Sequence, residues 1–250
     1  MEALKMDNSV QSVDANVNDL SAIQRAVKIY TDPENAYESI RKKPTWLFPV
    51  IVTILLAIIT IFSTTDLQIQ AQRDAILKSE MIPEEQKDKI LENMEENQGD
   101  LVKTKILPAG MSIIGTFIYF AIAAGIFMII GNFIMGGKTT FKQNFALFAW
   151  GSLVGVAETI VKVPLMLSKG SYKVYTSLAL LMDESQSKTI LFQILDAIDL
   201  FAIWKVIVYA IGFSVVYQFA RKKGYMAVVP LYIIIIAISI GFRQLFNGFF

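Results

Sequence analysis

The 250-residue chain contains no cysteine and no histidine. Those absences exclude disulfides, thiol chemistry, Cys/His zinc sites and the commonest general base, leaving carboxylate, amine, hydroxyl and phenol groups for any catalysis. An excess of one charge is also missing. Lys and Arg number 23 against 22 Asp and Glu, a net charge of +1, which removes nucleic acid as a default partner. The segment from Met1 through Asp19 lacks an apolar run, so no cleaved signal peptide is expected there and the first true span must direct insertion.

What is abundant is grease. Apolar residues make up 54% of the chain while charged residues still reach 18%, so the two populations must be segregated. Long apolar blocks do alternate with short charged ones. Each block approaches the roughly 20 residues that a helix needs to cross the hydrocarbon of a bilayer. The expected fold is an all-α, polytopic transmembrane helical bundle with five spans, near residues 46–63, 107–135, 145–167, 200–219 and 226–246, all within a membrane domain over 46–250.

Outside the spans, residues 1–19 are polar and low in aromatics, and read as a disordered cytoplasmic tail. Residues 20–45 read as amphipathic cytoplasmic helices. Leu20, Ile23, Val27 and Tyr30 fall at helical spacing, with Arg25 and Lys28 on the other side. Asp32 followed by Pro33 reads as an N-cap and first helical position, with Glu34 in the first turn, Arg41, Lys42 and Lys43 in the last, and Pro44 ending the helix. This stretch suits the membrane surface, with a partner's cytoplasmic domain as the other reading. Residues 66–105 form a charged loop with a helix-start signal at Pro83, Glu84 and Glu85, so one or two water-exposed, extracytoplasmic helices are expected there.

Basic residues near span ends stay in the cytoplasm. Arg41, Lys42 and Lys43 precede span one, Lys138 and Lys142 separate spans two and three, and Arg221, Lys222 and Lys223 separate spans four and five. With five crossings these three sites share one face. The other face receives the 66–105 loop and the Ser168–Asp199 loop, in which Asp183, Glu184, Asp196 and Asp199 meet Lys169, Lys173 and Lys188. The expected topology is a cytoplasmic N-terminus and an extracytoplasmic C-terminus.

Span three carries Glu158 and Lys162, four residues apart with Glu first, the favourable order for an ion pair. At about 100° per residue, Gly155, Glu158 and Lys162 lie within roughly 40° of Gly151's direction. The Gly151 and Gly155 step permits close approach of another helix, so this face is expected to pack into the bundle. Lys205 in span four and Arg243 in span five lie at similar depth, roughly 8 Å inside their spans' external ends. An intramembrane polar cluster of Glu158, Lys162, Lys205, Arg243 and Asp199 is therefore expected. It reads as structural glue, with a solute or proton pathway and a partner-docking site as the alternatives.

Two look-alikes carry no chemistry. Gly136-Gly137-Lys138-Thr139 resembles the end of a phosphate-binding loop, but Asn132 occupies the first glycine position and an apolar span precedes it. Ala237 to Gly241 approaches a nucleophile elbow, yet its first glycine is missing and no histidine exists to activate Ser239. No catalytic residue, cofactor or metal site is expected.

Tyr30 to Pro33 with Ala36, Tyr37, Ile40 and Pro44 stand ahead of Trp46 and Pro49, then Gly136 to Phe141 lead into Phe145 to Trp150, with Ile203-Trp204 and Lys222 to Tyr225 later. On these residues the layout resembles the Yip1 family of five-span membrane proteins. The acidic insert between spans one and two departs from that pattern. The resemblance implies a cytoplasmic N-terminus and a non-enzymatic role organising other membrane proteins. Eukaryotic relatives are linked to Rab GTPases and vesicle traffic, and some bacterial relatives to ABC-type exporters. The lack of cysteine and the large exterior loop favour a bacterial plasma membrane. The expected partners are the lipid bilayer and other membrane proteins, an ABC-type transporter among them, and a homo-oligomer is compatible with the small-residue faces. The leading expectation is a scaffold or accessory subunit. The alternative is a small solute or proton-coupled transporter using the intramembrane charges.

Overall fold

The computed structural model describes residues 20–79 and 82–245; the tail expected over residues 1–19 lies outside them. Helices dominate throughout, and the described residues form no strand, only an isolated bridge between Ser177 and Asp199. In chain order they are α1 (Ala22–Thr31), α2 (Pro33–Lys42), α3 (Leu47–Leu77), α4 (Glu84–Gln98), α5 (Leu107–Met128), α6 (Phe141–Gly151), α7 (Val154–Lys169), α8 (Ile190–Ala197), α9 (Leu200–Tyr217) and α10 (Arg221–Leu245). Five stretches among the described residues are long and apolar enough to cross a membrane: Leu47–Leu77, Val102–Ile134, Phe141–Lys169, Leu200–Tyr217 and Arg221–Leu245. In a bilayer this follows from hydrogen bonding, because each helix satisfies its own backbone where no water can.

Several helix bounds depart from the sequence pattern for local reasons. The helix of the first span runs past Ser63 to Leu77, because the polar tract after Asp66 is rich in Gln, Ala and Leu, which favour helix, and holds no Gly or Pro. π-helical turns at Val102–Ile106 and Ile129–Ile134 flank α5. The third span is interrupted by a turn at Ser152 and Leu153. A single helical face running from Gly151 through Lys162 is therefore broken between α6 and α7.

The chain divides into two compact units. The first comprises Met1–Val52, described from Leu20, with Ile118–Val154 and Lys205–Val229. Its core holds the fully buried Ile29, Tyr37, Ile40, Phe120, Leu147, Trp150 and Phe213. Ring pairs tie its elements together: Phe127 meets Phe148 edge-on at 4.5 Å, and Phe213 stacks on Tyr217 at 4.4 Å. Asp32 caps α2 by accepting from the Asn35 amide at 3.3 Å, with Pro33 in the first turn and Arg41 and Lys42 in the last.

In α1 the Ile23 and Val27 stripe read from the sequence faces outward, and Arg25 from the other side turns inward. Arg25 is 3% exposed and Ile29 fully buried, whereas Ile23 and Val27 stand 69% and 56% exposed. The Arg25 guanidinium donates to Ser39 Oγ at 3.1 Å, Thr45 Oγ1 at 2.8 Å and the Lys43 carbonyl at 3.0 Å, and lies 6.0 Å from the centre of the Trp150 ring. A fork of fixed donors is suited to gathering several neutral oxygens at once, which explains how a cation sits on the inner face.

The second unit comprises Thr53–Phe117, Gly155–Trp204 and Pro230–Phe250. Its spans turn apolar side chains such as Leu55, Ile59 and Ile114 outward, as a helix facing lipid does. Buried Thr64 and Thr65 return their hydroxyls to the carbonyls of Thr60 and Ile61, so neither leaves a polar atom bare. The 66–105 region holds α4, which Pro83 precedes and whose first turn is acidic, as the sequence signal indicates.

Candidate functional site

The charged residues of α7 and the start of α9 meet in the second unit. Within α7, Lys162 Nζ donates to Glu158 Oε1 at 2.7 Å, the i, i+4 pair read from the sequence. The same ammonium reaches Asp199 Oδ2 at 3.2 Å and lies 5.9 Å from the centre of the Phe201 ring. Asp199 occupies the position before Leu200 and uses its other oxygen as a helix cap, accepting from the amides of Phe201 at 2.8 Å and Ala202 at 3.2 Å. One carboxylate therefore both starts α9 and holds the cation of α7.

Two neighbouring side chains complete the site, and neither stood out in the sequence. The Thr176 hydroxyl donates to Asp199 Oδ2, and Ser177 Oγ donates to Asp196 Oδ1 at 3.0 Å. The backbone bridge between Ser177 and Asp199, with the Leu178 amide donating to the Ile198 carbonyl at 3.2 Å, lays this loop along the α8–α9 junction. Tyr232 of α10 adds a hydroxyl donor to the Ala197 carbonyl at 2.8 Å. Thr176 and Ser177 lie in a loop without periodicity, so the only sequence signal was the cap-forming Asp199 ahead of an apolar run.

Burial pushes the Asp199 carboxyl upward, but the Thr176 hydroxyl, the Lys162 charge and hydrogen bond, and the Ala202 amide outweigh it and hold the group below the usual carboxylate range. Lys162, Glu158 and Asp199 are all half-buried or buried. The site's hydroxyl proton is committed to a carboxylate that is a poor base. Among the described residues no group of three carboxylates is placed to hold a metal ion.

Arg243 of α10 also belongs to the second unit. It lines a cavity of about 900 Å³ together with Tyr175, Asp196 and Lys188, and it is not among the ion-pair partners of Lys162, Glu158 or Asp199. Burial raises the Tyr175 phenol, reinforced by the Glu184 and Asp196 charges and opposed by Arg243. Lys205 falls in the first unit, half-buried on α9. The two glycines differ. A Cβ on Gly151 would meet the Tyr209 ring at 2.3 Å and the Tyr37 hydroxyl at 2.7 Å, whereas one on Gly155 meets nothing within 4 Å.

The first unit has its own polar knot, which the sequence reading did not anticipate. Fully buried Asn144 donates to Thr139 Oγ1 at 2.8 Å and to the Thr140 carbonyl at 3.1 Å, and its oxygen lies 3.0 Å from the Tyr217 hydroxyl. Asn132 accepts from the Thr139 amide at 3.0 Å and donates to the Thr139 carbonyl at 2.9 Å. These bonds fold the loop from Gly136 to Thr140, where Gly136 takes a φ of 72°. Gly137 is pressed against Tyr217, whose ring would lie 2.5 Å from an added Cβ. That stretch is a packed helix connection with no open cradle for phosphate.

A family model described as the Yip1 domain matches residues 27–242. No curated protein and no solved structure matches the chain.

Proposed function

The chain belongs to the Yip1 family of membrane proteins, and from that premise we propose that it is a non-enzymatic scaffold or accessory subunit for other membrane proteins, an ABC-type exporter being the partner class considered first. The observation that supports this reading is the mutual engagement of Glu158, Lys162 and Asp199. Charges placed to carry a solute must exchange partners, whereas these are fixed by a cap, a loop hydroxyl and each other. In this reading the cluster joins α7 to the α8–α9 junction, and α4, with Glu84, Glu85, Asp88, Glu92, Glu95 and Glu96, offers an acidic docking surface.

The proposed setting is a bacterial plasma membrane, with the basic span flanks and the N-terminus in the cytoplasm and the C-terminus outside. Crosslinking in native membranes followed by mass spectrometry tests the role. The reading requires a reproducible membrane-protein partner whose activity falls when this chain is removed, and a strictly isolated protomer contradicts it.

A second reading, a small solute or proton-coupled transporter, draws on the cavity of about 900 Å³ with its mixed lining of Arg243, Lys188, Asp196 and Asp74. Reconstitution in liposomes with ion- and pH-sensitive dyes separates the two, since a scaffold gives no flux.

A further inference from the structure

The connection between the third and fourth spans is built unlike a loop in water. A 3₁₀ turn over Leu178–Leu181 and the short helix α8 form its two arms, and the Leu178 amide ties them by donating to the Ile198 carbonyl at 3.2 Å. Together they turn six large apolar side chains outward: Leu180, Leu181, Ile190, Leu191, Ile194 and Ile198. Leu181 stands 81% exposed. None of the six belongs to a span. A group of apolar side chains this large on one connection calls for a nonpolar cover.

Three features select lipid as that cover. The faces of α8 are inverted relative to a helix in water: Phe192 and Gln193 are buried and Asp196 accepts from Ser177 Oγ at 3.0 Å, while Ile190, Leu191 and Ile194 point out. Those three lie within roughly 100° of one another around the helix, a single apolar stripe. The stripe also leads into a lipid-facing surface, because Leu200 and Ile203, which open the fourth span two residues after Ile198, are exposed as well. Finally, the arms meet their own backbone needs, as an element leaving water must. The Leu180 and Met182 amides donate to the Ser177 and Ala179 carbonyls at 3.2 and 3.0 Å, and the Thr189 hydroxyl caps α8 by accepting from the Phe192 amide at 3.2 Å. At about 12 Å, α8 is too short to cross the hydrocarbon but long enough to lie along its edge. We infer that the Leu178–Ile198 segment is a monotopic element seated at the headgroup and acyl boundary of the leaflet where the third span ends. Leu181, Leu191 and Ile194 face the acyl chains there, and the polar turn at Glu184–Gln186 faces water. The inference rests on the five crossings and stands apart from the scaffold reading.

Because the chain has no cysteine, single-cysteine variants carry a nitroxide at one chosen place. Leu181→Cys, Leu191→Cys and Ile194→Cys probe the apolar face, Gln186→Cys the polar turn, and Ile235→Cys the exposed middle of the fifth span. Each full-length variant is placed in phosphatidylcholine liposomes, and its relaxation is measured with oxygen, which concentrates in lipid, and with a water-soluble nickel chelate. The expected oxygen-to-nickel ratio at the three apolar positions is several-fold above that at Gln186 and below that at Ile235. A ratio at the apolar positions equal to that at Gln186, with Ile235 still high, overturns this inference alone. A low ratio at Ile235 as well overturns the five crossings with it. Exclusion of both reagents from the apolar positions also overturns it, because protein and not lipid then covers the face. If the cysteine variants fail to fold, the unaltered chain decides. Phosphatidylcholine carrying a diazirine on its acyl chain should label the Ile190–Ile194 peptide, and labelling confined to the five spans contradicts the inference.

Discussion

The Lys162 ammonium lies 3.2 Å from the Asp199 carboxylate, joining the middle of α7 to the residue that caps α9. Removing one partner leaves the other charge half-buried and short of an ionic contact, which costs more than the pair contributes. Lys162→Met is expected to lower stability in detergent by about 2 kcal/mol. Adding Asp199→Asn, which keeps a capping side chain, should recover part of the loss. A double-mutant cycle read by thermal unfolding should give a coupling energy of about 1–2 kcal/mol. Additive losses would show that the two groups do not communicate.

The pH dependence follows from the same carboxylate. Asp199 ionises at lower pH in the folded chain than in the unfolded one, so the unfolded state binds the extra proton. Its contribution is complete above the ordinary carboxylate value of about 3.9 and is lost as pH falls through that value and then through the lowered folded one. Melting temperature should stay level between about pH 7 and 5 and fall below about pH 4. Asp199→Asn should flatten part of that fall, and an unchanged slope would remove Asp199 as its source.

Arg25 and Lys28 share α1 but are expected to behave differently. Lys28 pairs with Asp32 at 3.2 Å, both only partly buried, and Lys28→Ala should cost under about 1 kcal/mol. Arg25→Ala strips donors from Ser39, Thr45 and the Lys43 carbonyl inside the first unit and should cost about 3 kcal/mol. Arg25→Lys should not rescue it, because an ammonium cannot span the same oxygens. Fluorescence-detected size-exclusion chromatography after a heat step reads all three.

The glycines of the third span give a further contrast. Gly151→Ala forces a methyl against the Tyr209 ring and the Tyr37 hydroxyl and should cost about 1–3 kcal/mol. Gly155→Ala enters open space on a helix and should be neutral or stabilising by up to about 1 kcal/mol. Equal losses at both positions in a melting assay would contradict this packing.

Much of this was legible in the sequence because a bilayer imposes blunt requirements. Length and apolarity alone marked five spans, and the cap at Asp32-Pro33 and the start at Pro83 are local rules that tertiary packing did not override. The Glu158–Lys162 pair was legible for the same reason, being set by spacing on one helix. Inside and outside were not. In water, an apolar stripe points inward, but beside lipid Ile23 and Val27 are free to point out, so the periodicity of α1 named a face without saying which way it turned. Thr176 and Asn144 were illegible because their roles depend on partners 23 and 73 residues away, Asp199 and Tyr217, brought close only by folding.

With five long helices crossing a bilayer, the odd number of crossings would place the chain's ends on opposite sides. Paired reporter fusions, one active only in the cytoplasm and one only outside it, placed at the N-terminus, in the loop at Lys138, within α4 and after Leu245, measure this directly. The account predicts cytoplasmic signal at the N-terminus and Lys138 and external signal within α4 and after Leu245. The same signal at both ends of the chain would contradict it.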